Sequence, residues 1–338
     1  MVEPLVTRAP KQSALLRRLH SSAGVETRHL VRALETYAQE TDFSRTNDDF
    51  LGLATDLGAL ALEDALERAG VVPQDVDVLV LTSVTGLGAP SIDVAIAQRL
   101  GMRPDVVRVP AFGWGCAGGV AGLARAHDLL AARPHGVAVL VAVELCSLTL
   151  QREDHSPANL VASGLFGDGA AAAVLVGEHH PLAGSDARIG DVLGSRSVLH
   201  PGTREHLGWD IGASGFRIVL SPELPDLIAA TLADDVKALL AAHDRSAAQV
   251  SHWVAHAGGP RILDAVGEAL ELAPETLTLS RRSLAERGNL SSVSVLDVLA
   301  RTAATPGWRE TADPLAVLLA FGPGVSTDLL LLAPAQEG

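Results

Sequence analysis

Cysteine is nearly absent: Cys116 and Cys146 are the only two in 338 residues. Two thiols make neither a disulfide framework nor a four-thiolate metal site. A reducing cytoplasm is the expected setting. Positive charge is also scarce, with 26 Lys and Arg against 40 Asp and Glu and a net charge of −14. Nucleic acid and anionic membrane surfaces both demand a dense cationic face, so neither is an expected partner. Long hydrophobic runs are missing. The N-terminus, MVEPLVTRAPKQSALLRRLH, carries Glu3, Arg8 and Lys11 and lacks the apolar core of a secretory signal. The longest apolar stretch, residues 137–150, is interrupted by Glu144 and reads as a buried strand, too short to span a bilayer. No C-x-x-C pair occurs, and no metal site is expected.

What is present is hydrophobic content of 48% against 20% charged residues, a folded chain's balance. The length suits two ordinary domains or one fold of two halves. Helical and strand signals alternate. Residues 51–69, 90–100, 224–243, 260–272 and 289–303 have helical spacing, with Pro90 placed in a first helical turn. Residues 76–82 (VDVLVLT), 137–143, 170–176 and 252–255 read as strands, and 315–332 as two strands around a turn. This predicts an α/β fold with mainly parallel sheets.

The order repeats. FGDGAAAAVLV at Phe166 returns as FGPGVSTDLLL at Phe321; PSIDVAIAQRL at Pro90 returns as PRILDAVGEAL at Pro260; GCAGGV at Gly115 returns as GNLSSV at Gly288. The spacings predict two related halves, 1–180 and 181–338, with Cys116 set opposite Asn289.

Cys116 stands between Gly113, Gly115 and a helix-like segment. A thiol at a helix start feels the positive end of the dipole, which favours thiolate, although a small buried hydrophobe fits the same place. Cys146 lies in or beside a strand and reads as packing. His256 sits at the carboxyl end of a strand, where ligand groups collect in parallel sheets. His252 is its rival on the same strand, and His179 and His180 read as a solvated loop. Asn289 suits a helix N-cap, and its amide also suits donation to a developing anion. Phe166 opens a repeated turn, which a packing role explains.

GCAGG at Cys116, GLFGDGAAAAVLVG at Gly164, GWDIGASGFRIVLSPELPDLI at Gly208, HWVAHAGGPRILDAV around His256, GNLSS at Asn289 and FGPG at Phe321 together resemble the type III polyketide synthases. These are the chalcone- and stilbene-synthase-like enzymes of the thiolase superfamily. The resemblance runs from about Leu15 to the C-terminus, with a flavour of the bacterial resorcinol- and pyrone-forming enzymes. It implies a five-layered α-β-α-β-α thiolase fold and a homodimer. Its substrates are malonyl-CoA and an acyl-CoA starter, with no other cofactor. Cys116 would be the nucleophile, His256 its ion-pair partner, and His256 with Asn289 the donors to the malonyl thioester during decarboxylation. Phe166 matches the gating aromatic, and Ile218 falls at the second gating position. Val84 and Ala89 fall in a stretch that lines the cavity near the dimer interface. Trp114 is expected to shorten the cavity, and Arg17, Arg18 and Arg28 are candidates for coenzyme A phosphates. The implied reaction is iterative decarboxylative condensation and cyclisation to a pyrone or resorcinol. The alternatives are a priming ketoacyl synthase acting on a carrier protein and a non-catalytic partner subunit. The family's first N-terminal strand has no evident match, unless MVEPLVTRAP supplies it.

Overall fold

The computed structural model describes residues 10–39, 42–185, 187–309 and 314–335. MVEPLVTRA, which contains most of the segment named for a first strand, lies outside them.

The first half opens with α1 (Pro10–Ser21) and the long α2 (Phe43–Ala69). Asp42 caps α2 by accepting from the Arg45 N–H, and Gly70 ends it in the left-handed region, where glycine carries no Cβ penalty. β1 (Val78–Thr82), α3 (Ile92–Arg99), β2 (Val107–Ala111), α4 (Gly118–Ala131), β3 (Val137–Leu145), α5 (Pro157–Leu165) and β4 (Asp168–Val176) follow. β1 and β3 are buried on both faces, as their unbroken apolar runs require. The sheet order is β2-β1-β3-β4, parallel except for β4. Pro90 does not open α3: it follows a cis Ala89–Pro90 bond, and Ser91 is the N-cap.

The second half contains β5 (Gly190–Leu199), the hairpin β6 (Leu207–Gly212) and β7 (Gly215–Leu220), α6 (Leu224–Ala241), β8 (Val250–Ala255), α7 (Pro260–Ala269), α8 (Thr278–Arg287), α9 (Ser294–Ala303), β9 (Leu315–Gly322) and β10 (Ser326–Pro334). Its sheet runs β5-β10-β9-β8.

The duplication is visible in the pairing. β1–β3 is parallel and β3–β4 antiparallel; β8–β9 is parallel and β9–β10 antiparallel. The edges differ. β10 has β5 on its far side, whereas among the described residues β4 has no such neighbour, and its Ala170–Val176 side chains stay half-buried.

Alternate residues sort the layers. Leu79, Leu81, Val139 and Val141 pack with α2 and α3, while Val78, Val80, Ala138 and Leu140 face α4 and the second half. α4 and α9 lie between the sheets, and α6 and α7 cover the far side of the second sheet. The result is the five-layered α-β-α-β-α arrangement.

Candidate active site

Two short 3-10 turns bring the halves together. Gly115–Ala117 leads into α4, and Ser291–Val293 leads into α9. A Cβ on Gly119 would lie 2.4 Å from the Ser292 carbonyl oxygen, and one on Gly118 would lie 2.4 Å from the Thr82 hydroxyl. The glycines of GCAGG are what let the helix starts abut. The equivalent turns also correct the repeat register: by position in its turn, Cys116 matches Ser292, and Asn289 lies three residues earlier.

Cys116 donates its thiol proton to Ser291 Oγ at 3.7 Å. Asn289 is held on both sides. Its backbone N–H donates to Leu165 O and its carbonyl accepts from the Gly167 N–H, in a parallel bridge with Phe166. Its Oδ1 accepts from the Ser291 N–H at 2.8 Å, and its Nδ2 donates to Gly258 O at 3.1 Å. The amide therefore has a fixed orientation, and it also hydrogen-bonds Cys116. It braces the Ser291 turn without starting α9, which begins at Ser294. His256 follows β8 directly, is 4% exposed, and has no partner for Nδ1. Its ring sits over Gly258, where a Cβ would approach Nε2 to 3.2 Å. Asn289 and His256 thus meet at Gly258, and Cys116 joins them through Asn289 and Ser291, so the three residues come from three segments.

Burial works against the expected thiolate: it pushes the Cys116 thiol up to about 12, against the lowering effect of its hydrogen bonds with Ser291 and Asn289. Burial likewise pulls the His256 imidazole down to about 4.

One buried carboxylate escaped the sequence reading. Glu144, near the end of β3, accepts from the Val84 N–H at 3.1 Å, Thr85 Oγ1 at 3.1 Å, Ser291 Oγ at 3.2 Å and Ser292 Oγ at 2.6 Å. Its burial raises it to about 7 despite these donors. The signal was the single charge in an otherwise apolar strand, which had been read only as an interruption.

The family profiles for chalcone and stilbene synthases match residues 14–180 with the N-terminal domain and 192–335 with the C-terminal domain. The chain belongs to the chalcone and stilbene synthase family. It is 50% identical over 321 residues to a 1,3,6,8-tetrahydroxynaphthalene synthase of Streptomyces peucetius subsp. caesius, covering 94% of this chain and 83% of that one. The phloroglucinol synthase of Pseudomonas fluorescens is 28% identical over 318 residues, covering 94% and 88%. The crystal structure of 1,3,6,8-tetrahydroxynaphthalene synthase from Streptomyces coelicolor superposes with a TM-score of 0.90 at 32% identity, covering 100% of this chain and 93% of that one. The protein is thus a type III polyketide synthase, an acyltransferase that condenses malonyl-CoA into an aromatic polyketide.

Next to the Cys116–Asn289 cluster lies a small pocket of about 50 Å³, set in about 550 Å³ of empty space that includes open solvent. Phe166 and Ile218 both line it, and Phe166 connects it to Asn289 through the backbone bridge. Cys146, read as packing, also lines it. Trp114 does not; it precedes the Cys116 turn and packs on the core. The tryptophan of the cavity wall is Trp209, on β6. Extended-chain spacing put Trp114 on the face of Cys116, but the turn at Gly115 breaks that spacing. Val84 and Ala89 are not among the residues lining this pocket: Val84 lends its N–H to Glu144, and Ala89 precedes the cis bond. Arg28 is spent on Phe166 O at 2.9 Å and Ser163 O at 2.6 Å, which suits it to bracing the Phe166 turn more than to holding a phosphate. Arg17 and Arg18 are exposed on α1. His252 stacks on Trp308. Four residues along a strand span about 13 Å, so His252 and His256 cannot share an ion. Among the described residues, no group of three or more His, Cys, Asp or Glu could hold a metal, and no helix is long and apolar enough to cross a membrane.

Proposed function

We propose that this synthase loads a malonyl-derived starter on Cys116 and extends it with malonyl-CoA to a ring-closed polyphenol of the tetrahydroxynaphthalene class. The reading is supported by the convergence of Cys116, His256 and Asn289 on one buried point between the halves. The residues divide the work as follows. His256 takes the Cys116 proton as sulfur attacks the starter thioester and coenzyme A leaves. His256 and Asn289 then donate to the thioester oxygen of malonyl-CoA while carbon dioxide departs and an enolate forms. Two fixed donors in a dry site stabilise that charge strongly. The enolate carbon attacks the acyl-cysteine, adding two carbons. The ten ring carbons of tetrahydroxynaphthalene correspond to five such units. Five carbonyls become four oxygens, so one ring closes by aldol addition with loss of water and the other by Claisen attack that frees Cys116. This replaces the pyrone or resorcinol expectation, on the strength of the named relatives.

The chain divides into halves at 180/181, each supplying part of the site, and works in the cytoplasm on free coenzyme A thioesters. Arg17 and Arg18 are the basic residues offered to the phosphates. A homodimer forms along β2: this edge strand has no outer neighbour among the described residues, and Phe112 beside it is 50% exposed.

The test is purified protein with malonyl-CoA alone, then with a panel of acyl-CoA starters, followed by carbon dioxide release and product mass. Cys116→Ala is expected to abolish extension while leaving some decarboxylation, because both enolate donors remain. No carbon dioxide and no product with any starter refutes the reading.

A further inference from the structure

The cavity wall carries a second polar device, separate from the Cys116 cluster. Tyr37 and Ser147 both line the cavity. Tyr37 Oη and Ser147 Oγ are 2.6 Å apart, and Ser147 Oγ donates in turn to Asp168 Oδ2. The direction of these bonds is set. The Arg32 N–H already donates to Tyr37 Oη at 3.3 Å, and the Ser147 proton is committed to Asp168, so the tyrosine proton points at Ser147. Asp168 is 5% exposed and anchored by the Val31 N–H and the Ser147 N–H, each at 2.7 Å. The Arg28 guanidinium and the Cys146 thiol both lie within electrostatic reach of it.

Two backbone N–H groups already hold the Asp168 carboxylate, one on each oxygen. The serine and tyrosine hydroxyls extend a buried carboxylate to the cavity surface by two proton-bearing oxygens.

We propose that Tyr37, Ser147 and Asp168 form a proton relay that catalyses aldol ring closure of the bound poly-β-keto chain, Tyr37 being the group that touches it. The proposal rests on the polyketide-synthase reading above. In the step, a methylene between two carbonyls gives its proton to Tyr37 Oη. The tyrosine proton passes to Ser147 Oγ and the serine proton to Asp168 Oδ2. The carbanion left behind attacks a distal ketone carbon, forming the ring bond and an alkoxide. The alkoxide takes a proton back from Tyr37, and the relay runs in reverse, restoring the Asp168 carboxylate. No proton or electron is gained or lost, and water leaves afterwards on aromatisation. Burial raises the Asp168 carboxyl above its ordinary range, which makes it a better proton acceptor than a solvated carboxylate.

Tyr37→Phe keeps the ring on the cavity wall and removes only the hydroxyl. Ser147→Ala cuts the relay while leaving the backbone bond to Asp168, and Ser147→Thr restores a hydroxyl. Each is incubated with malonyl-CoA, and aromatic product is measured per coenzyme A released, with lactones and open-chain acids counted separately. General acid–base catalysis is worth about 10²-fold or more, so that ratio is expected to fall by about 10² in Tyr37→Phe and Ser147→Ala and to recover in Ser147→Thr. An unchanged ratio in Tyr37→Phe overturns the relay. So does a fall in Tyr37→Phe that Ser147→Ala does not share, since the tyrosine would then act without Asp168. No coenzyme A release by the unaltered protein defeats the synthase reading itself, and the relay with it.

Discussion

Glu144→Gln tests the electrostatics of the site through folding stability. The carboxyl moves from 4.5 to about 7 on burial. At 1.36 kcal/mol per pKa unit, that costs the folded state about 3 kcal/mol once both states are ionised. The sign follows from proton binding. Below pH 4.5 Glu144 is protonated folded and unfolded, and the stability is intact. As pH rises toward 7 the unfolded chain releases this proton while the folded one retains it, so stability falls. The loss is complete just above 7. Glutamine cannot titrate and shows none of this loss. It brings a different, pH-independent cost of about 1–3 kcal/mol, because its NH₂ meets donors such as the Val84 N–H, which cannot turn round. The measurement is therefore a difference of slopes. Urea unfolding of both proteins at pH 5, 6, 7 and 8 should show the native stability falling relative to the variant by most of that 3 kcal/mol, or about 4 °C in Tm for a chain of this length. Other titrating groups cancel in the comparison. Parallel curves across this range would refute a carboxyl held neutral by burial.

Three further outcomes are expected. Trp209→Ala opens the cavity wall and should shift the products toward longer chains by mass spectrometry; an unchanged product profile would remove Trp209 as a length limit. Gly119→Ala drives a Cβ toward the Ser292 carbonyl, which is backbone and yields little, so the urea midpoint should fall by the equivalent of about 1–3 kcal/mol. A midpoint equal to the native one would show slack between α4 and the Ser291 turn. Phe112→Glu places a charge beside the open β2 edge and should yield monomer in sedimentation equilibrium; a persistent dimer would place the interface elsewhere.

Legibility varied with the range of the forces involved. β1, β3 and β9 were readable because strands buried on both faces must be apolar throughout. β5, GDVLGSRSVL, was missed because it is an edge strand with alternating exposure and five residues that favour turns or loops. The β6–β7 hairpin was missed for a similar reason, its strands being short and only partly buried. Cys116, His256 and Asn289 stood out as candidates because glycine-rich turns, a strand end and a repeat marked their segments. The register of that repeat slipped by three residues, since short glycine motifs align in more than one way. Arg28 looked like a phosphate ligand because its two carbonyl partners, on Ser163 and Phe166, lie far along the chain.

The amino-acid order alone determined where the fully buried strands and several of the helices form, and it marked the repeated motifs and the segments of Cys116, His256 and Asn289. Those properties depend on local periodicity, turn chemistry and motifs. Tertiary structure decided the charge states and the cavity. Cys116 starts a helical segment, which favours thiolate, yet burial between the halves pushes its thiol up to about 12. Glu144 is an ordinary carboxylate in sequence, yet burial raises it to about 7 against the opposing hydrogen bond from a serine 148 residues away. Desolvation depends on what surrounds a group from every side, and no stretch of sequence carries that information.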